Sequence, residues 1–181
     1  MTETSRPSSR RRQIVYAVAG LGAAAMGLAY SLRQHAPKPL SKEAQAFWTA
    51  SFEQPQGGQL QTRNFLGKPL LLNFWATWCP PCVKEMPELD QFRREHLAKG
   101  WEVLGLAVDA PTPVREFLQK TPVSFPIGLA GLTGTELSRS LGNPQGGLPF
   151  SVAFDPSGEI VWRKLGATNL AELRLLGSSQ P

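Results

Sequence analysis

The chain has 181 residues, 41% of them hydrophobic, which is room for one ordinary globular domain with an appendage and too little for a second full domain. Its net charge of +5 would suit nucleic acid, but five arginines against one glutamate before residue 37 carry four of those charges. Fourteen basic and thirteen acidic residues follow, so the globular part is close to neutral and nucleic acid is not an expected partner.

Arg10-Arg11-Arg12 precedes Ile14 to Leu32, nineteen residues without a charge, near the ~20 that cross a bilayer. Arginines ahead of such a span hold the N-terminus in the cytoplasm, so the domain is expected outside the cytoplasmic membrane, facing the periplasm. The segments read as a basic N-terminus (1–13), a transmembrane signal-anchor (14–32), a tether and lead-in (33–54), a domain (55–177) and a tail (178–181). Cleavage at Ala29-Tyr30-Ser31, giving a soluble periplasmic domain, is the alternative. Arg11-Arg12-Gln13-Ile14-Val15 also loosely resembles a twin-arginine export signal. No cysteine lies near this span to carry a lipid.

Pro37 and Pro39 mark the tether. Ala44 to Phe52 reads as a short helix, broken by Gly57-Gly58 before Leu60 to Phe65, an edge strand or loop. The apolar run Pro69 to Trp75 has strand length and is expected to be covered on both faces of a parallel sheet. Pro80 opens a helix to about Lys99, and Trp101 to Asp109 returns as a second buried strand, completing one βαβ unit. Thr112-Pro113 fits an N-cap with proline at the first helical position, for a helix to about Lys120. Phe125 to Leu129 reads as a short strand and Gly134 to Leu141 as a short helix. Leu148 to Phe154 and Glu159 to Leu165 form a hairpin around Asp155-Pro156-Ser157-Gly158, and Leu170 to Leu176 is a terminal helix. The expected fold class is α/β: a thioredoxin fold with a mixed central sheet, flanking helices and an inserted β-α element.

The chain's two cysteines both lie in Trp78-Cys79-Pro80-Pro81-Cys82, directly after the first buried strand. At that spacing on an opening helix they share one face and can close a disulfide. Small exported folds that need staples carry several disulfides, so a solitary pair is expected to be reactive rather than structural. Cys79 falls at the N-cap, where unpaired N–H groups and the positive end of the helix dipole favour its thiolate; Cys82 lies one turn in. Cys79 is therefore the expected attacker and Cys82 the resolver. Prolines at 80 and 81 remove two N–H donors, leaving that of Cys82. The lowering of the Cys79 pKa is expected to be moderate, nearer that of thioredoxin than that of strongly oxidising relatives. A zinc site is not expected: His96 has no second histidine after it and His35 lies in the tether. His96 reads as a solvated helix residue.

Asn73-Phe74-Trp75-Ala76-Thr77-Trp78-Cys79-Pro80-Pro81-Cys82, running on into Val83-Lys84-Glu85-Met86-Pro87, has the pattern W-C-x-x-C-x-x-E-x-P. With Gly147-Leu148-Pro149 before the hairpin, it resembles the exported, membrane-tethered thioredoxin-like proteins of the TlpA and ResA type, which include the reductases of cytochrome c maturation. The resemblance covers about residues 55 to 177. It places Asn73 where a thioredoxin has a buried aspartate, and makes Glu85, on the same helical face as Cys82, the candidate to hold or accept the resolving thiol's proton. A surface acid near a helix N-terminus is the plainer reading of Glu85. Pro87 is expected to kink the helix. The resemblance implies a cis Pro149 facing the disulfide, with the Leu148 backbone free to pair with an extended peptide. Phe150 departs from the threonine expected after that proline, and its ring belongs either to the docking surface or to the core. Trp78 borders the nucleophile and joins the docking surface, whereas Trp75 belongs to the core.

These residues point to an enzyme, a thiol-disulfide oxidoreductase, whose Cys79 forms a mixed disulfide that Cys82 resolves. Its cofactor is none beyond the redox-active Cys79–Cys82 pair. The resemblance implies a protein-disulfide reductase fed by a membrane electron donor and acting on periplasmic thiol proteins such as an apocytochrome c or a copper-delivery protein. An oxidase or isomerase is the alternative direction. A non-catalytic dithiol module holding Cu(I) is the alternative class, with Met86 the only nearby soft ligand. A peroxidase is disfavoured, since Thr77 lies only two residues before Cys79.

Overall fold

The computed structural model describes residues 39–179 and, before them, only Tyr16, Met26 to Leu28, Tyr30 and Ser31. The chain divides into two units, Met1–Pro39 and Leu40–Pro181. In the first, the described residues are exposed, and those before Pro39 are helical. No helix among the described residues is long and apolar enough to cross a membrane. The basic cluster, most of the expected span at 14–32 and most of the tether lie outside the described residues.

The second unit is built on a seven-stranded sheet in the order β2-β1-β5-β4-β3-β6-β7. Its strands are β1 (Ser51–Glu53), β2 (Gln59–Gln61), β3 (Leu70–Trp75), β4 (Glu102–Ala107), β5 (Ile127–Leu129), β6 (Phe150–Phe154) and β7 (Ile160–Leu165). Helices α1 (Lys42–Trp48), α2 (Pro80–His96), α3 (Pro111–Lys120), α4 (Thr133–Ser140) and α5 (Leu170–Ser179) cover it. β3 runs parallel to β4 and antiparallel to β6, and all six of its residues are buried. This is the expected thioredoxin fold, with β5 and α4 as the inserted element and β6-β7 as the hairpin.

Strand alternation sorts the core into two layers. Leu71 and Trp75 pack with Met86, Leu89 and Phe92 of α2 and with Leu173 and Leu176 of α5. Leu70, Leu72 and Phe74 pack on the other face with Phe47 and Trp48 of α1. Because α1 contributes to this core, the segment before residue 55 belongs to the fold. Ser41 caps α1 by accepting the Ala44 N–H, and the Trp48 indole donates to the Gly158 carbonyl at 2.7 Å.

Several boundaries differ from the sequence expectation. The first helix ends at Trp48, capped by Thr49, and Phe52 lies in β1 paired with Leu60. Only Gln59–Gln61 of the following stretch is a strand; Thr62–Phe65 is a 3-10 turn whose Thr62 hydroxyl donates to the Phe47 and Ala50 carbonyls. α3 starts at Pro111 with Ala110 as N-cap, so Pro111 rather than Pro113 takes the first helical position. β6 starts two residues late, after a cis peptide bond between Leu148 and Pro149. The turn at Asp155 to Gly158 closes as expected, with Gly158 at φ +92°, where a side chain would be strained.

Candidate active site

β3 delivers the chain to the site and β4 fixes it there. After Trp75, whose carbonyl accepts the Val108 N–H at 2.8 Å, the chain turns through Ala76 and Thr77. The Asp109 carboxylate, just past the end of β4, accepts the Thr77 N–H at 2.9 Å and the Thr77 hydroxyl at 2.6 Å through one oxygen. Its other oxygen accepts the Ala110 N–H. Parallel strands place such residues together at their C-terminal ends, where loops build sites. Sequence reasoning missed Asp109; its place at the end of a buried parallel strand was the available signal.

Cys79 is the N-cap of α2 in extended conformation, and its sulfur accepts the Cys82 N–H at 3.3 Å. Pro80 and Pro81 open the helix and supply no donors, as their composition requires. The two sulfurs form a disulfide with Cα atoms 5.3 Å apart. Cys82 is fully enclosed and Cys79 keeps a sliver of exposure, while Trp78 beside it is 65% exposed. Trp75 lies fully in the core.

Glu85 is not a surface acid: it is 2% exposed. The Asn73 side-chain amide donates to Oε1 at 2.8 Å, and Thr168 donates to Oε2 from its backbone at 2.6 Å and from its hydroxyl at 3.0 Å. Burial raises the Glu85 pKa above its usual 4.5, against the opposing pull of the Thr168 N–H, the Asn73 amide, the Thr168 hydroxyl and the charge of Lys164. Asn73 also donates to the Ser151 hydroxyl, and its own carbonyl oxygen is buried without a partner. Thr168 gave no sign in the sequence, since it meets Glu85 across 83 residues.

The Leu148–Pro149 bond is cis, and the Pro149 carbonyl accepts the Gly166 N–H. No hydrogen bond engages the Leu148 backbone among the described residues. Leu148, Trp78, Val108, Pro111 and Leu132 line a groove of about 530 Å³. Phe150 does not take part. It is 1% exposed and its ring is stacked on Phe74 at 6.0 Å, so the docking expectation for Phe150 is corrected to core packing on the face opposite Glu85.

His96 is a second correction. It is 6% exposed rather than solvated, stacked on Phe92 at 4.5 Å with its Nδ1 3.1 Å from the Phe92 carbonyl. Gly177 of α5 makes the room: a Cβ there would lie 2.5 Å from the His96 ring. No group of three or more His, Cys, Asp or Glu side chains is placed to hold a metal ion among the described residues. The arrangement suits thiol chemistry: one sulfur at a helix N-terminus by a groove, a second sealed behind it, and a carboxyl with a raised pKa one helical turn further on.

Comparison with known proteins agrees with that chemistry. The Redoxin family model matches residues 42–174. A thiol-disulfide oxidoreductase ResA of Bacillus cereus is 30% identical over 135 residues, 74% of each chain. That of Bacillus thuringiensis subsp. konkukian is 32% identical over 123 residues, 67% of each. Among solved structures, MTB dsbF superposes with a TM-score of 0.65 at 25% identity, over 78% of this chain and 98% of that one. A thiol:disulfide interchange protein of the thioredoxin family from Chlorobium tepidum TLS gives 0.63 at 25% identity, over 72% and 91%.

Proposed function

This chain belongs to the Redoxin family and is a thiol-disulfide oxidoreductase of the ResA type; from that premise we propose that it reduces disulfides in exported proteins while tethered outside the cytoplasmic membrane. The observation that carries the reading is the asymmetry of the pair, with Cys79 at the N-cap beside the groove and Cys82 fully enclosed behind it.

In the reduced enzyme the Cys79 thiolate is stabilised by the helix N-terminus and the Cys82 N–H, and it attacks one sulfur of a partner disulfide. An S–S bond to Cys79 forms, the partner's own S–S bond breaks, and the partner's second sulfur leaves as a thiolate that takes a proton. Cys82 then gives its proton to Glu85, attacks the Cys79 sulfur and expels the partner's first sulfur as a thiolate, which is protonated as Glu85 releases that proton again. Two electrons and two protons have passed to the partner, and the Cys79–Cys82 disulfide remains. A dithiol protein of the membrane returns the pair to two thiols by the same exchange and is itself left as a disulfide. Trp78, the free Leu148 backbone and the cis Pro149 receive the partner as an extended segment. An apocytochrome c or a copper-delivery protein fits this role, since each must present reduced cysteines. Reduction rather than oxidation is supported by the two prolines, which leave the nucleophile few donors. Tethering rests on the uncharged run after Arg10-Arg11-Arg12.

A Cys82→Ser trap tests both parts. The full chain carrying it is expected to accumulate mixed disulfides through Cys79 and to bring them into the membrane fraction. Adducts formed only by Cys79→Ser would reverse the roles of the cysteines, and adducts confined to the cytosol would overturn the tethered, exported placement.

A further inference from the structure

The sheet beneath Glu85 carries a polar row where its neighbour is apolar. In β3, β6 and β7, Leu71, Ala153 and Trp162 lie directly opposite one another and belong to the layer under α2. Two residues along each strand, on the same face, the row reads Asn73, Ser151 and Lys164. Polar groups in a core are costly unless they are engaged. Asn73 bridges Glu85 and Ser151. Lys164 ends the row at the sheet edge, its side chain 27% exposed and ion-paired with Glu172 of α5. Its charge reaches Glu85 and favours the carboxylate.

The other contacts of Glu85 cannot do the same work. Asn73 and Thr168 offer neutral donors. On α2, Glu88 is one turn away and accepts the Leu170 N–H, so it offers Glu85 no donor. From α5, Glu172 faces the row only through its pair with Lys164, and the β7–α5 loop, Gly166 to Asn169, holds no titratable side chain. The remaining titratable neighbour is the Cys82 thiol once the disulfide is open. Lys164, on the same sheet face as the Asn73 that binds Glu85, is thus placed to act on the sealed carboxyl as a cation.

We propose that Lys164, held in place by Glu172, is a positioning residue for Glu85: the end of the polar row supplies the positive charge that lets an enclosed carboxyl release a proton and take one from Cys82. The inference rests on the reading of Glu85 as the proton acceptor in the resolving step. Lys164 touches neither sulfur, and its part is to set the pH range in which that step runs.

The test follows resolution in the reduced full-length chain mixed with one equivalent of the aromatic disulfide 5,5′-dithiobis(2-nitrobenzoate). Attack by Cys79 releases one coloured thiolate, and displacement by Cys82 releases the second. The pH at which the second phase half-develops is the readout. Lys164→Met is expected to raise it by roughly half a pH unit to one unit, Lys164→Arg to leave it near wild type, and Lys164→Met in a Glu85→Gln background to have no effect on whatever pH dependence remains. Urea unfolding of each variant shows that the fold is kept. If Glu85→Gln removes the wild-type transition while Lys164→Met leaves it in place, the inference fails and the reading of Glu85 stands. If Glu85→Gln leaves the transition unchanged, the reading of Glu85 fails and the inference with it. A Lys164→Met shift that persists in the Glu85→Gln background also overturns the inference, because the charge then acts elsewhere.

Discussion

Glu85 shows how a single side chain can be found by its position while the partners that hold it stay out of sight. A group whose folded pKa is raised contributes stability that is fully present below its unfolded pKa and is lost as pH rises through the folded value. Burial raises Glu85 above 4.5, so relative to Glu85→Gln the oxidised protein should lose stability as pH climbs from 4 towards neutrality. Urea unfolding of both proteins across that range measures it; a gap that instead widened in favour of wild type at high pH would mean that the bonds from Thr168 and Asn73 outweigh burial. The spacing from Cys82 put Glu85 on the right helical face, and the resemblance put Asn73 and Pro149 in place. The rest was not legible for a physical reason. Thr168 reaches Glu85 across 83 residues, and Asp109 reaches Thr77 across 32. Local pattern carries no trace of such pairs. Nothing local to Phe150 distinguishes surface from core; its stacking on Phe74 of the neighbouring strand does.

At the level of elements, α2 and α5 meet where a glycine faces a ring. Alanine at 177 would gain about 1 kcal/mol of helix propensity, yet its Cβ would lie 2.5 Å from His96 and 2.9 Å from Phe92, two rings already stacked on each other. Gly177→Ala should therefore destabilise by roughly 1–3 kcal/mol. In a His96→Ala background, where Phe92 has room to yield, the same change should cost less, and a denaturation double-mutant cycle reads the coupling. A cycle with no coupling would dissolve the proposed contact. The same pair explains why His96 is buried where the sequence reads as a solvated helix residue: its burial depends on a residue in another helix. Strand and helix identities were legible from period and length, as β3 and α2 show. Boundaries slipped where a cap decided them, as at Thr49 for α1 and at Pro111 for α3.

For the whole molecule, the disulfide contributes little as a staple. Closing a four-residue ring removes only about 2 kcal/mol of chain entropy from the unfolded state, and the packed layers on both sheet faces hold the fold. A reductase should accordingly be more stable oxidised than reduced, by about that amount. An oxidant gains its power from a stabilised reduced form. Unfolding the two forms side by side compares these directions, and a reduced form more stable than the oxidised one would overturn the reductase reading. The architecture itself was legible because β3, β4 and the hairpin announce themselves by local pattern, whereas the pairing of β1 with β2 and β5 did not. One feature of the site reaches past partner exchange. Cys82 sits enclosed three residues behind the more reachable sulfur. If peroxide converts the Cys79 thiolate to a sulfenic acid, Cys82 condenses with it, water leaves, and the ordinary disulfide results. Damage that would climb to irreversible acids at a solitary thiol would end here in the ordinary disulfide, because the second sulfur already lies within bonding reach.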